Sequence, residues 1–260
     1  MAEKRGLKPH LSRYWMQPQI DDEQGFATQV REVLEVQDAA PGLAAQGIRV
    51  VSCDEKTGMQ AVERHKTWSM KAGRPARQEA WYDRHGTLCL TANLDLATGA
   101  VIAPTLAATR TNIDFVGHIA NAVATSPDAT WIFVTDNLNT HCSAELVTWV
   151  AAECKLNLDL GVKGVRGPLR DRQSRADFLR CASHRIRFIY TPKHCSWLNE
   201  IERWFSKLAR SVLRRGSFAS VDALRTRVMD YIAYYNAVDA KPHRWKINHK
   251  DLLAKFRIAT

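Results

Sequence analysis

A chain of 260 residues with 45% hydrophobic and 25% charged side chains can bury a sizeable core, which sets aside a disordered tail or a stapled mini-domain. Its apolar runs, such as 101–104 and 131–134, fall far short of the roughly 20 residues of a membrane helix. The net charge of +10 comes from 37 Lys and Arg against 27 Asp and Glu, and points to a polyanionic partner if it is clustered.

Residues 1–45 are polar, contain Pro9, Pro18 and Pro41, and hold one amphipathic stretch over 26–36, so they read as a linker carrying one helix. The basic N-terminus has no signal-length apolar run behind it, and a cytosolic location is expected. From Gly47 the pattern turns β-branched and ends in the acidic pair Asp54-Glu55, a strand running into carboxylates. Segments 87–95 and 99–104 are separated by Leu96-Ala97-Thr98, as in an antiparallel hairpin. Helical spacing marks 111–126, and 131–136 is again a short apolar strand that meets an aspartate, Asp136. Ser143 can cap a helix reaching about Cys154; 185–190 reads as a strand, 198–212 and 221–235 as helices. This order describes an α/β layout, a mixed sheet flanked by helices.

The charge is indeed clustered. Residues 160–215 hold 14 Lys and Arg against 4 Asp and Glu, enough for the whole excess. A basic insertion at about 160–185 is expected either to neutralise phosphates or to form a solvated surface excursion. The six cysteines stand singly with no C-x-x-C pair, which argues against a zinc site and a disulfide framework.

Hydrolysis or transfer of a phosphodiester needs a nucleophilic oxygen and a stabilised leaving oxygen, which two divalent ions held by a few carboxylates can supply. Asp54 and Asp136 could converge if their strands are neighbours, although either alone is also an ordinary turn aspartate. The segment Leu198-Asn199-Glu200-Ile201-Glu202-Arg203 offers two glutamates on one helix. Glu200 has Arg203 at i+3 and is expected to be an exposed ion-pair member. Glu202 has no such partner, sits beside the apolar stripe, and is therefore the better metal ligand.

At these residues the chain resembles the mariner-type DDE transposases of bacterial insertion sequences, over nearly its whole length. The motifs that carry the likeness are Ser52-Cys53-Asp54-Glu55-Lys56-Thr57-Gly58, Val134-Thr135-Asp136-Asn137 and, most specifically, the run from Tyr190-Thr191-Pro192 to Leu198-Asn199-Glu200-Ile201-Glu202. Residues 85–87, 213–218, 234–236 and 242–245 resemble further family segments. The resemblance implies an RNase H-like fold over 46–240 with a tail at 241–260, and two Mg²⁺ or Mn²⁺ ions on Asp54, Asp136 and Glu202. It also implies cleavage at element ends, strand transfer into TA targets, and a homodimer on DNA in the bacterial cytosol or nucleoid. Family members carry helix-turn-helix domains ahead of the core, so a separately encoded helix-turn-helix half is a further implied partner. Two other readings stay open: an RNase H-like endonuclease without strand transfer, and an inactive split product that only binds DNA. His141 reads as structural more readily than as a phosphate contact. Trp197 is the tryptophan best placed to stack on a base, and Lys66, Lys71, Arg74 and Arg77 form a loop suited either to gripping a DNA backbone or to solvent.

Overall fold

The computed structural model describes Pro18, residues 20–65, 67–242 and 249–256. Seven strands and seven α-helices follow in the order α1 (Glu23–Ala44), β1 (Ile48–Arg64), β2 (Thr67–Trp68), β3 (Arg77–Gln78), β4 (Tyr82–Asp95), β5 (Val101–Ala107), α2 (Asn112–Ala124), β6 (Thr130–Thr135), α3 (Ala144–Glu153), α4 (Arg172–Arg180), β7 (Ile186–Tyr190), α5 (Ile201–Leu208), α6 (Val221–Tyr234) and α7 (His249–Lys255). The main sheet runs β5-β4-β1-β6-β7, antiparallel from β5 to β1 and parallel from β1 to β7. This is the mixed sheet expected, with the RNase H-like arrangement of strands.

Alternation along the strands sends side chains to two separate cores. One face, with Val50, Ile132, Val134 and Ile189, packs against α1, α5, α6 and α7. The other, with Val51, Cys53, Trp131, Phe133 and Phe188, packs against α2, α3 and α4. Parallel strands covered on both sides need apolar residues at every position, which is why 131–134 is a continuous apolar run.

Several expectations change. The helix foreseen at 26–36 is twice as long, is capped by Asp22, and keeps Pro41 within its last turn. Its buried face, including Val30, Val33 and Leu34, belongs to the main core, so the described part of the supposed linker is a structural layer; residues 1–17 lie outside the described residues. Likewise α7, in the supposed tail, buries Leu252 and Leu253 and meets α1 through Phe26 and Phe256, whose rings stand 5.5 Å apart. Strand β1 does not stop at the acidic pair. Its parallel neighbour β6 ends at Thr135, but its antiparallel neighbour β4 continues, and the two extend as a hairpin to the Arg64↔Tyr82 pair. The apolar run in β1 ends at Asp54 because two-sided burial ends there, while the hydrogen-bonded ladder goes on.

Candidate active site

The ladder between β1 and β6 sets the first two acids. Ser52 pairs with Val134, and the same parallel register carried two residues onward puts Asp54 level with Asp136. Residues two apart share a face of a strand, so Asp54 belongs to the side of Val50 and Ser52, towards α5, while Asp136 follows the end of β6 and reaches His141 with Oδ1. The third acid is brought by that helix. Asn199, wholly buried, donates from Nδ2 to the Cys53 carbonyl (3.0 Å) and to Asp54 Oδ2 (3.2 Å), and its Oδ1 accepts from the Ser52 hydroxyl. The Ser52 oxygen in turn accepts from the backbone N–H of Ile201 at 2.9 Å, satisfying one of the donors left open at the start of α5. Ser52 and Asn199 thus join the helix of Glu202 to the strand of Asp54, and Glu202 sits in the first turn, where the helix dipole favours an anion.

The electrostatics report the convergence. Burial first, and then the nearby Asp136 and Glu202 carboxylates, push Asp54 up to about 7. Glu202 is also raised, by desolvation and by Asp136, against the opposing pull of Lys56. Burial pushes Asp136 up too, but its contact with His141 more than offsets this and leaves it below the ordinary carboxylate value. Among the described residues no group of three or more His, Cys, Asp or Glu side chains stands close enough together to hold a metal ion. Asp136 raises both Asp54 and Glu202, and three such carboxylates, half-buried to buried, are nevertheless the donor set a hard divalent cation favours, since the cation would relieve the repulsion that burial magnifies.

A sequence model of the DDE superfamily endonucleases matches residues 49–225, a span that begins on β1 and includes all three acids. The chain belongs to the DDE superfamily endonucleases. Among solved structures, a Mos1 mariner paired-end complex with Mn matches at 14% identity and a TM-score of 0.55, covering 89% of this chain and 61% of that one. The Mos1 transposase paired-end complex with the left transposon end matches at 15% and 0.56, covering 96% and 65%. The Mos1 strand transfer complex matches at 15% and 0.54, covering 98% and 64%. At such identities the likeness is one of fold, and this chain spans less than two thirds of those relatives. No curated protein matches by sequence. Membership in the DDE family implies polynucleotidyl transfer chemistry.

Within this DDE fold Glu200, at the N-cap of α5, and Glu202, in its first turn, each differ from expectation in burial. Glu200 does pair with Arg203, at 3.2 Å, but it is 2% exposed, and burial raises it to about 7. Its ion pair was legible from the i+3 spacing; its burial was not, because of the two partners only Arg203 reaches solvent. Glu202 is only half-buried, more open than its place beside the stripe implied.

Trp197 is packed against the core and stacks on Phe256 at 6.1 Å, so it does not stand free for a base. Arg172 and Arg175 of the basic insertion bond inward, to Asn137 and to the Cys142 carbonyl, and hold the loop that follows β6. Arg180 pairs with Glu32 and Arg185 with Glu153. Lys163, Arg166 and Arg170 remain on the exposed tip. Lys71, Arg74 and Arg77 lie beyond the β1–β4 hairpin around a β-bridge between Lys71 and Arg74, while Lys66 and 243–245 lie outside the described residues.

Sequence reasoning missed Glu55 and Arg110. Alternation places Glu55 opposite Asp54, on the α2 face, where its carboxylate is 4% exposed, 3.4 Å from His141 and 3.9 Å from Arg110. Arg110 precedes Thr111, whose capping box with Asp114 starts α2 and so fixes where that guanidinium emerges. Nothing local in the sequence signals either contact, since each partner lies 55 or more residues away.

Proposed function

We propose that this chain is the catalytic domain of a mariner-type DNA transposase, in which Asp54, Asp136 and Glu202 hold two Mg²⁺ or Mn²⁺ ions. The observation that carries the reading is that Asp54 and Asp136 each follow the Ser52↔Val134 pair by two residues and interact electrostatically, with the helix of Glu202 joined to Asp54 through Asn199. When bound, the ions supply activation of the attacking oxygen and stabilisation of the leaving oxygen during phosphodiester cleavage and transfer. The carboxylates position that chemistry, and the Lys56 ammonium pulls Glu202 downward against its burial. DNA is the substrate, cut at element ends and joined through the freed 3′-hydroxyl to a target with TA the expected site. Support comes from family membership and from the basic surface. The solved Mos1 relatives are paired-end and strand transfer complexes, one of them with Mn, which favours a homodimer on DNA and divalent metal use here.

The test uses pre-cleaved duplex ends carrying a 3′-hydroxyl and a supercoiled TA-containing target with Mg²⁺ or Mn²⁺. Joined products are expected from the wild-type chain together with a helix-turn-helix half if one is encoded. Glu202→Gln should lower cleavage and joining by at least about a thousandfold in line with removal of a metal ligand, and Glu200→Gln should spare both. Cleavage without joining would replace the reading by a nuclease on the same fold. Full activity of Glu202→Gln would remove the assignment.

A further inference from the structure

His141 occupies a position that the ligand triad does not explain. It lies on the 3₁₀ turn Thr140–Cys142 just after β6, is fully buried, and faces acceptors on both sides of its ring. Nδ1 stands 2.7 Å from Asp136 Oδ1 and 2.7 Å from the Thr135 hydroxyl; Nε2 stands 3.4 Å from Glu55 Oε1. The ring packs on Phe115 at 4.3 Å between centroids, and the His141 carbonyl accepts from the Tyr190 hydroxyl at 2.9 Å, so neither ring nor backbone is free to swing. A carboxylate only accepts hydrogen bonds, so a ring held between two of them presents an N–H to each.

The consequence falls on Asp136. Its Oδ1 accepts both from His141 Nδ1 and from the backbone N–H of Leu138 at 3.1 Å. Two donors on one oxygen leave the other, Oδ2, as the atom with lone pairs to offer a cation. We propose that His141 is a positioning residue, which binds one oxygen of Asp136 and so presents the other to the metal, with Glu55 holding the ring from behind. Strand β1 thereby contributes from both faces: Asp54 on one as ligand, Glu55 on the other as the support of a support. This rests on the assignment of Asp136 as a ligand. Partners of this kind orient a ligating carboxylate, and their loss typically weakens metal binding by about 10–100-fold.

Two substitutions divide the ring's contacts. In His141→Asn the amide nitrogen lies near the place of Nδ1 and can keep the bond to Asp136; in His141→Gln it lies near the place of Nε2 and can keep only Glu55. Mn²⁺ titration followed by electron paramagnetic resonance, with thermal melting to verify folding, is expected to show wild-type-like affinity within about threefold for the Asn variant and a 10–100-fold loss for the Gln variant. Equal affinity in all three proteins, or equal loss in both variants, would overturn the positioning role and leave the ligand assignment standing. Absence of Mn²⁺ binding by folded wild-type protein would overturn the ligand assignment, and the positioning role with it. Should either variant fail to fold, the wild-type protein labelled at histidine nitrogens provides the measurement. The His141 Nδ1–H resonance should remain hydrogen-bonded throughout a Mg²⁺ titration, and its release on adding Mg²⁺ would overturn the proposal.

Discussion

The inner and outer halves of the β1–β4 pair are one continuous hairpin with opposite physical fates. The inner half, with Val51 to Asp54 opposite Asp95 to Ala92, is buried on both faces between two helical layers. The outer half, from Val62 opposite Arg84 to the tip, leaves the layers behind, and around it Trp68, Met70 and Trp81 are 56%, 72% and 74% exposed. Hydrogen-bonded pairing is common to both, so pairing alone does not make a catalytic platform. What distinguishes the inner half is the second covering layer, which desolvates Asp54 and fixes its angle to Asp136. The outer half keeps the ladder and trades the core for solvent.

The sharpest break of this comparison is a cavity in the doubly covered half. Phe133 is wholly buried and stacks between Trp131 and Phe188, with centroids 5.6 and 5.2 Å away. Phe133→Ala should cost about 3–5 kcal/mol in denaturant unfolding. A loss below about 1 kcal/mol would mean that the parallel half is not the anchor described.

Next in size is the join between helix and sheet. Asn199→Ala leaves the Cys53 carbonyl and the Ser52 hydroxyl without their buried partner and should cost about 1–3 kcal/mol, with metal-dependent cleavage falling well beyond what the stability change explains. Unchanged cleavage by a folded variant would separate Asn199 from the geometry of Glu202.

Asp54 offers a test by pH. Its folded value of about 7 lies above its ordinary 3.8, so the native state binds the extra proton between those limits. Its favourable linkage is full below about pH 4 and is lost as pH rises through 7. Asp54→Asn cannot ionise, so without metal it should match the wild type near pH 4 and exceed it by on the order of 2 kcal/mol at pH 8. Excess Mg²⁺ should narrow that gap by stabilising the wild type alone. A stability difference that does not vary between pH 4 and 8 would contradict the desolvation of Asp54.

The smallest effect belongs to the outer half. Trp81→Ser removes a large side chain that is mostly in solvent and should change unfolding free energy by no more than about 0.5 kcal/mol. A loss above 2 kcal/mol would show that the projecting half is a cooperative part of the core.

These contrasts also mark what was legible in the sequence. Local chemistry announced itself: Ser143 caps α3 as its hydroxyl and position foretell, and the unbroken run from Trp131 to Val134 is a parallel strand. Helix spacing prefers Glu202 over Glu200, but the exposure it implies for Glu200 and the burial it implies for Glu202 are reversed in the structure. The extension of β1 past Asp54 could not be read, because the ladder there is sustained by β4 after apolar patterning has faded. The burial of Glu200, the inward turn of Arg172 and Arg175 and the contact of Glu55 with His141 all depend on which distant elements pack above them. A basic cluster in sequence is therefore divided in space, part of it bonded to the loop after β6 and part of it exposed at the 163–170 tip.

The contact between α1 and α7 has a consequence for handling the domain. Phe26, near the start of the first helix, meets Phe256, the residue after the last, so the chain enters and leaves the described fold at one place. Such proximity is what tolerates circular permutation. A short linker from 256 to 22, with new ends opened in the exposed 162–166 tip, should leave the sheet and its acids undisturbed. The permuted protein would also move any fused DNA-reading module to the other side of the molecule, turning the path of the polypeptide into an adjustable parameter.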